Sequence, residues 1–172
     1  MRKTVAGIIC ALIFAAFPIR YAYASHVLPY PSFMPGNKIY RVTRFLDTLK
    51  KYWNFGSIAS YKYQISLSDK YLVEAKTLFE YQQYLLAVDA LTRSNREFLN
   101  ASPYLLRGVR EGKDMRAFEE DYREAAEVHI RILTELGSSL PSSIRWSPEK
   151  TSPTDIPIRE LLTKSVSIRE RK

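Results

Sequence analysis

Apolar residues recur at steps of three and four through most of this chain, the spacing that lines one face of an α-helix. In the first such stretch Asn37 stands as a cap, and Ile39, Val42, Leu46, Leu49 and Trp53 form a stripe that Gly56 terminates. A second stretch, Ser57 to Glu80, carries Ile58, Tyr61, Ile65, Ser68, Leu72, Ala75 and Phe79. Its other side holds Lys62, Asp69, Lys70 and Lys76, which reads as a solvated face. A third, Gln83 to Asn100, aligns Tyr84, Ala87, Leu91, Ser94 and Phe98, and Pro103 is expected to stop it. Pro103 to Lys113, with Gly108 and Gly112, reads as a loop with one helical turn at most. The fourth stripe is Met115, Phe118, Tyr122, Ala125, His129, Ile132 and Leu136, ended by Gly137. Four such stripes predict an all-α chain, a four-helix bundle of antiparallel hairpins whose helices cross at about 20°.

The flanks follow other rules. Val27 to Asn37, VLPYPSFMPGN, holds three prolines among large apolar residues, so it reads as an extended strap on the domain surface. After Gly137, Pro141, Pro148, Pro153 and Pro157 alternate with Ser and Thr, predicting an irregular tail. Asp155 can cap a short last helix with Ile158, Leu161 and Leu162 on one side, and the terminal IRERK is expected to fray.

The N-terminus changes the picture of where the chain works. Arg2 and Lys3 precede the apolar run TVAGIICALIFAAF, and Ala22-Tyr23-Ala24 supplies small residues around a bulky one. A basic start, a short apolar run and a small-residue site are the parts of an export signal. The run is shorter than the ~20 residues a membrane-crossing helix needs. Cleavage after Ala24 is therefore expected, with an N-terminal membrane anchor as the alternative. Cys10 follows Ile9 and lacks the context of a lipid-attachment site. The expected organisation is a signal at 1–24, a leader at 25–37, a helical domain at 38–136 and a Pro/Ser-rich tail at 137–172. Removing Arg2, Lys3 and Arg20 takes the 26 basic residues to 23 against 18 acids, so the net charge falls from +8 to +5. That mild excess is not the concentrated basic face of a nucleic-acid binder. Cys10 is the sole cysteine, so packing rather than disulfides must hold the exported domain.

The ordered features Leu28-Pro29, Pro31, Tyr40, the basic amphipathic helix and the hairpin DKYLVEAKTLFEYQQYLLAVDALTRSN resemble the bacterial domain of unknown function 5667 family, over roughly residues 28 to 98. The resemblance implies a helical extracytoplasmic module and brings no catalytic residues with it. The hairpin is also similar to one tetratricopeptide unit, through Ala75, Leu78, Tyr81, Ala87 and Leu91. The pattern does not return at a period of about 34 residues, so no array is expected.

Candidate chemistry is sparse. His129 sits on an apolar stripe, where a buried imidazole with a hydrogen-bond partner is the ordinary expectation. Ser25-His26 at a new N-terminus would offer an amine, an amide nitrogen and an imidazole to Cu²⁺, but a histidine near a chain start needs no such role. In EEDYREAAE, Glu119 stands four before Arg123 and Glu127 four before Arg131, the spacing of surface ion pairs. No enzyme activity, cofactor or metal is expected. A protein-binding surface is expected first, with an anionic-polymer or membrane-surface site as the alternative. Tyr81, Tyr84 and Leu85, at the hairpin turn, exceed what one stripe can bury and suit a protein partner in the cell envelope. Arg41, Arg44 and Lys51 on the first helix, with Tyr40 and Tyr63 off the buried stripes, suit an anionic polymer or membrane surface.

Overall fold

The computed structural model describes residues 26–31, 38–148 and 152–171. The expected signal and the strap beyond Pro31 lie outside the described residues. The chain is all-α in class: α1 (Lys38–Trp53), α2 (Ser57–Glu80), α3 (Tyr84–Arg110), α4 (Arg116–Ser139) and α5 (Ile158–Glu170), with a two-stranded ribbon, β1 (Ile144–Trp146) and β2 (Thr154–Ile156), before α5. The strands are antiparallel, with Ile144 opposite Ile156 and Arg145 opposite Asp155. No helix among the described residues is long and apolar enough to cross a membrane.

The bundle consists of α2 to α5, and α1 lies outside it. α2 packs on α3 and α4, and α5 packs on the same two helices, so the four close into a ring. The predicted stripes of α2 and α3 are the buried ones: Tyr61, Ile65, Leu72, Ala75, Phe79, Ala87, Leu91 and Phe98 are all sealed from solvent. Burying each of the larger aliphatic or aromatic side chains stabilises the fold by roughly 1.5–3 kcal/mol. The hairpin between α2 and α3 closes through two backbone bonds, Gln82 N–H to the Phe79 carbonyl and Gln83 N–H to the Leu78 carbonyl. Gln82 takes the left-handed conformation, φ 58°, that such a helix end requires.

Three expectations are corrected here. Pro103 does not end α3, which runs on to Arg110. The missing N–H and the ring's clash with the preceding turn are offset by what the extension buries: Leu105 joins Tyr61, Phe98 and Met115 in one core cluster. Gly108, expected in a loop, lies in this helix. A Cβ there would come within 2.4 Å of the Met115 sulfur, so a side chain would force Met115 from its buried place. The α3 end is instead marked by Gly112, at φ 73°.

The second correction concerns the tail, which completes the bundle. Ile158, Leu162, Ser165 and Arg169 are buried at steps of four, three and four, and the helix does not fray before Glu170. Asp155 belongs to β2, and Pro157 takes the capping position. Gly137 lies inside α4, which extends to Ser139.

The third is α1. Of its predicted stripe, Val42, Leu46, Leu49 and Trp53 face solvent, as does Phe45 beside them, and the side chain of Ile39 lies outside the described residues. The fourth place in the ring is taken by α5, which leaves α1 no apolar seat. α1 instead docks through polar contacts, as described below.

Candidate functional site

The bundle interior is apolar at both ends and polar in the middle. One apolar cluster holds Leu72, Leu78, Phe79, Ala87, Leu91, Leu133 and Leu162, and the other holds Tyr61, Ile65, Phe98, Leu105, Met115 and Ala126. Between them in sequence lie Ser68 and Asp69 of α2, Ser94 and Asn95 of α3, His129 of α4 and Ser165 of α5, and Arg169 follows one turn after Ser165. The two serines face each other across α2 and α3. Ser68 Oγ donates to the Ser94 carbonyl at 3.1 Å and Ser94 Oγ donates to the Ser68 carbonyl at 2.9 Å, a reciprocal pair that only small side chains permit.

Arg169 organises the layer. Its guanidinium donates to Ser94 Oγ at 2.9 Å, to Asn95 Oδ1 at 2.6 Å and to His129 Nδ1 at 3.0 Å, and it lies over the Phe98 ring. Because arginine can only donate, His129 Nδ1 must be the acceptor, and the ring proton sits on Nε2. His129 Nε2 then donates to Asp69 Oδ1 at 2.8 Å. The other oxygen of Asp69 takes His26, at 3.0 Å, and the second nitrogen of His26 reaches Asp121 at 3.1 Å. Tyr61 donates to the far oxygen of Asp121 at 2.8 Å.

The electrostatics follow from this chain of bonds. His26, bonded to Asp121 and Asp69, is pushed up to about 10 and is a cation at neutral pH. Burial alone would raise the Asp69 carboxyl, but the bonds from His129 and His26 outweigh it and hold Asp69 below its ordinary value. The Asp121 carboxyl is likewise lowered, chiefly by His26. Burial pushes His129 down, with Arg169 adding to the effect against the Asp69 bond, so His129 is neutral. Burial lowers Arg169 to about 10, which leaves it charged. Two cations thus face two carboxylates, and the layer is neutral as a set.

His26, Asp69 and His129 bring ligand atoms within 4.8 Å of one another, close enough to consider a metal. The donor chemistry does not fit. A metal-bound imidazole presents a ring N–H to an acceptor on its far side. Here the far side of His129 faces an arginine donor, and its Nε2 already carries the proton. A divalent ion would add positive charge beside Arg169, where the two carboxylates, Asp69 and Asp121, are already matched by His26 and Arg169. The arrangement is a closed hydrogen-bonded set, and its product is mechanical: it ties the leader, through His26, to α2 and α4, and it ties α5 to α3 and α4.

The opposite inversion occurs at α1. Its inner side is polar. Tyr40 donates to Glu74 Oε1 at 2.6 Å, Arg93 donates to the Tyr40 hydroxyl at 3.1 Å, Lys70 pairs with Asp47, and the Tyr63 hydroxyl bonds the Asp47 carbonyl. Tyr40 and Tyr63, expected to be free aromatics, are therefore seam residues, and burial raises both phenols to about 12. Glu74 is buried, its other oxygen lacks a partner, and its carboxyl is raised by that burial. The outer side is apolar: Val42, Phe45, Leu46, Leu49 and Trp53 are 36–70% exposed, and Phe55, just past the helix, 80%.

The sequence-predicted residues divide accordingly. Arg44 is exposed on α1, 5.9 Å from the Tyr40 ring centroid. Arg41 and Lys51 belong to the same helix, but their side chains fall outside the described residues. At the hairpin turn Tyr81 and Leu85 are exposed, whereas Tyr84 turns inward onto Phe79 and the first apolar cluster. Tyr84 therefore does not join the other two at the surface. Asp69 is not on a solvated face: it is 5% exposed and is the centre of the layer. Arg123 pairs with Glu120 and Glu127 rather than Glu119, and this remains a surface arrangement. What sequence reasoning missed is the layer as a unit. The available signal was Ser68 and Ser94 at matching depth on two apolar stripes, with Asp69 beside the first. No protein-family model matches the chain, and comparison with curated proteins and solved structures found no match.

Proposed function

We propose that this chain is a non-enzymatic, extracytoplasmic docking module whose contact surface is the outward face of α1. The observation that carries this reading is the inversion of α1, which turns Tyr40 and Asp47 to the bundle and leaves Val42, Phe45, Leu46, Leu49 and Trp53 to solvent. A contiguous apolar face on a folded domain marks a binding surface rather than a fault of folding. Binding rather than catalysis is also supported by the polar layer. His129 has both nitrogens committed and no exposure, so no substrate can reach it. Tyr81 and Leu85 favour a second, smaller contact at the hairpin end, suited to a protein partner.

The test is site-specific photocrosslinking in a bacterial envelope. A photoreactive side chain placed at position 45 of the full chain is expected to give adducts, and one placed at the exposed position 123 is not. Equal yields at the two positions, or none at 45, would remove α1 as the contact surface. Adducts from position 81 that survive Phe45→Glu would establish the hairpin end as a separate contact.

A further inference from the structure

The geometry points to a definite partner for this face: we infer that α1 lies flat in the headgroup region of an anionic lipid bilayer, an inference that rests on the docking role of α1 proposed above. Three observations carry it. The stripe Val42, Phe45, Leu46, Leu49 and Trp53 runs the length of a 16-residue helix, and Phe55 continues it beyond the end. Large aromatic and aliphatic side chains in one stripe, with basic residues around them, are the composition of helices that lie in the membrane interface.

The charge pattern is the second observation. α1 contains Lys38, Arg41, Arg44, Lys50 and Lys51 against one acid, Asp47. That acid is withdrawn from the outer surface and paired with Lys70 of α2. Nothing acidic in the helix remains to repel phosphate headgroups, while Arg44 and Lys50 are exposed. The same pattern argues against a second copy of the chain as the occupant. A two-fold pairing of α1 helices would bring together two helices that each carry five basic residues against one acid.

The third is the manner of attachment. α1 is held to the bundle by Tyr40, Asp47, Glu74 and Lys70 on its inner side, so apolar contact with lipid costs it none of its own packing. At 16 residues with six charged side chains it cannot cross a bilayer, and Trp53 at its end has the amphipathic ring that settles at the headgroup level. The apolar run at residues 4–17, expected to act in export, would deliver the chain to a membrane in any case.

The experiment uses the chain purified after export, in a Trp146→Phe background that leaves Trp53 as the sole tryptophan. It is mixed with vesicles whose acyl chains carry a bromine quencher, made of phosphatidylglycerol or of phosphatidylcholine. Phosphatidylglycerol is expected to shift Trp53 emission to the blue and quench it, with phosphatidylcholine much weaker. Arg44→Gln with Lys50→Gln should raise the lipid concentration needed for half-maximal quenching by roughly 25-fold, since each basic side chain near an anionic surface contributes roughly fivefold. Phe45→Glu with Leu46→Glu should abolish quenching with helicity unchanged, whereas Leu106→Glu, an exposed site on α3, should bind as the parent does.

Equal quenching by both lipids overturns the anionic surface as the partner. No quenching by either lipid, together with protein adducts at position 45 or self-association lost in Phe45→Glu, overturns the bilayer and leaves the docking face standing. No quenching, no self-association and no adducts at 45 overturns both.

Discussion

The middle of the bundle and the outer face of α1 break the same rule in opposite directions. In the first, polar and charged side chains are buried. In the second, large apolar ones are exposed. The difference lies in whether the chain itself supplies the partners. Within the layer, Asp69, His129 and Arg169 find each other and their neighbours, and among the described residues the buried polar atoms without a partner, on Gln64 and Glu74, lie elsewhere. Around Phe45 and Trp53 no such closure occurs among the described residues, for they are 67% and 70% exposed. A closed exception is architecture, and an open one is an invitation to a partner.

The sharpest way to break this comparison is to open the layer. Asp69→Asn removes the negative charge that His26 and Arg169 are set against, and it is expected to destabilise the bundle by about 3–5 kcal/mol, the usual effect of leaving a buried charge uncompensated. In a domain of this size that lowers the thermal midpoint by roughly 10 °C or more. Circular dichroism melts of the exported chain decide it. A loss under about 1 kcal/mol would mean that the layer tolerates an open end and is not what holds the four helices in register.

Titration sharpens the same point, because the two histidines act with opposite sign. His26 has a folded value raised from 6.5 to about 10, so the stability it contributes is fully present below pH 6.5 and is lost as pH rises toward 10. His129 has a folded value below 6.5, so its contribution is present above 6.5 and is lost as pH falls, when the unfolded chain takes up a proton that the buried ring resists. Between pH 5 and pH 9 the melting temperature should therefore peak near 6.5. His26→Asn should flatten the alkaline flank and leave the acid flank in place. A flank unchanged by that substitution would show that His26 is not charged against Asp69 and Asp121.

A smaller and more local effect is expected at the seam between the two regions. Tyr40→Phe takes the hydroxyl from Glu74, a residue 3% exposed whose other oxygen already lacks a partner. Loss of a hydrogen bond to a buried group costs about 1–3 kcal/mol. Since α1 lies outside the ring of α2 to α5, the cost should appear as faster amide hydrogen exchange in α1 with little change in the melting of the bundle. A uniform drop in both would place α1 inside the cooperative unit.

How much of this was legible depended on how local the signal was. The stripes of α2 and α3 were readable because Tyr61, Leu72, Leu91 and Phe98 recur at helical spacing within one segment. The apolar pattern shows only the start of α5, because half of its buried stripe is Ser165 and Arg169, which composition places at the surface. Pro103 carries a strong local rule against helix, and the tertiary burial of Leu105 and Gly108 overrode it. The layer was not legible because its bonds join positions far apart: Asp69 lies 43 residues from His26 and 60 from His129. For α1, spacing identified the apolar stripe correctly but carried no information on which side of it the bundle would occupy. That was settled by α5, more than a hundred residues downstream, filling the fourth place.

The smallest expected effect on stability is the one that completes the comparison. Phe45→Glu with Leu46→Glu replaces two large apolar side chains by charged ones. In a core this would unfold the protein, but both positions are exposed, so the bundle should keep its stability within about 0.5 kcal/mol of the parent's. The same variant is the one expected to lose vesicle binding, so stability and docking should separate cleanly in a single protein. A marked fall in melting temperature would mean that the α1 stripe is buried after all, by a segment of the chain or by a second copy. Its exposure would then be a closed exception like the layer's, and the contrast between the two regions would disappear.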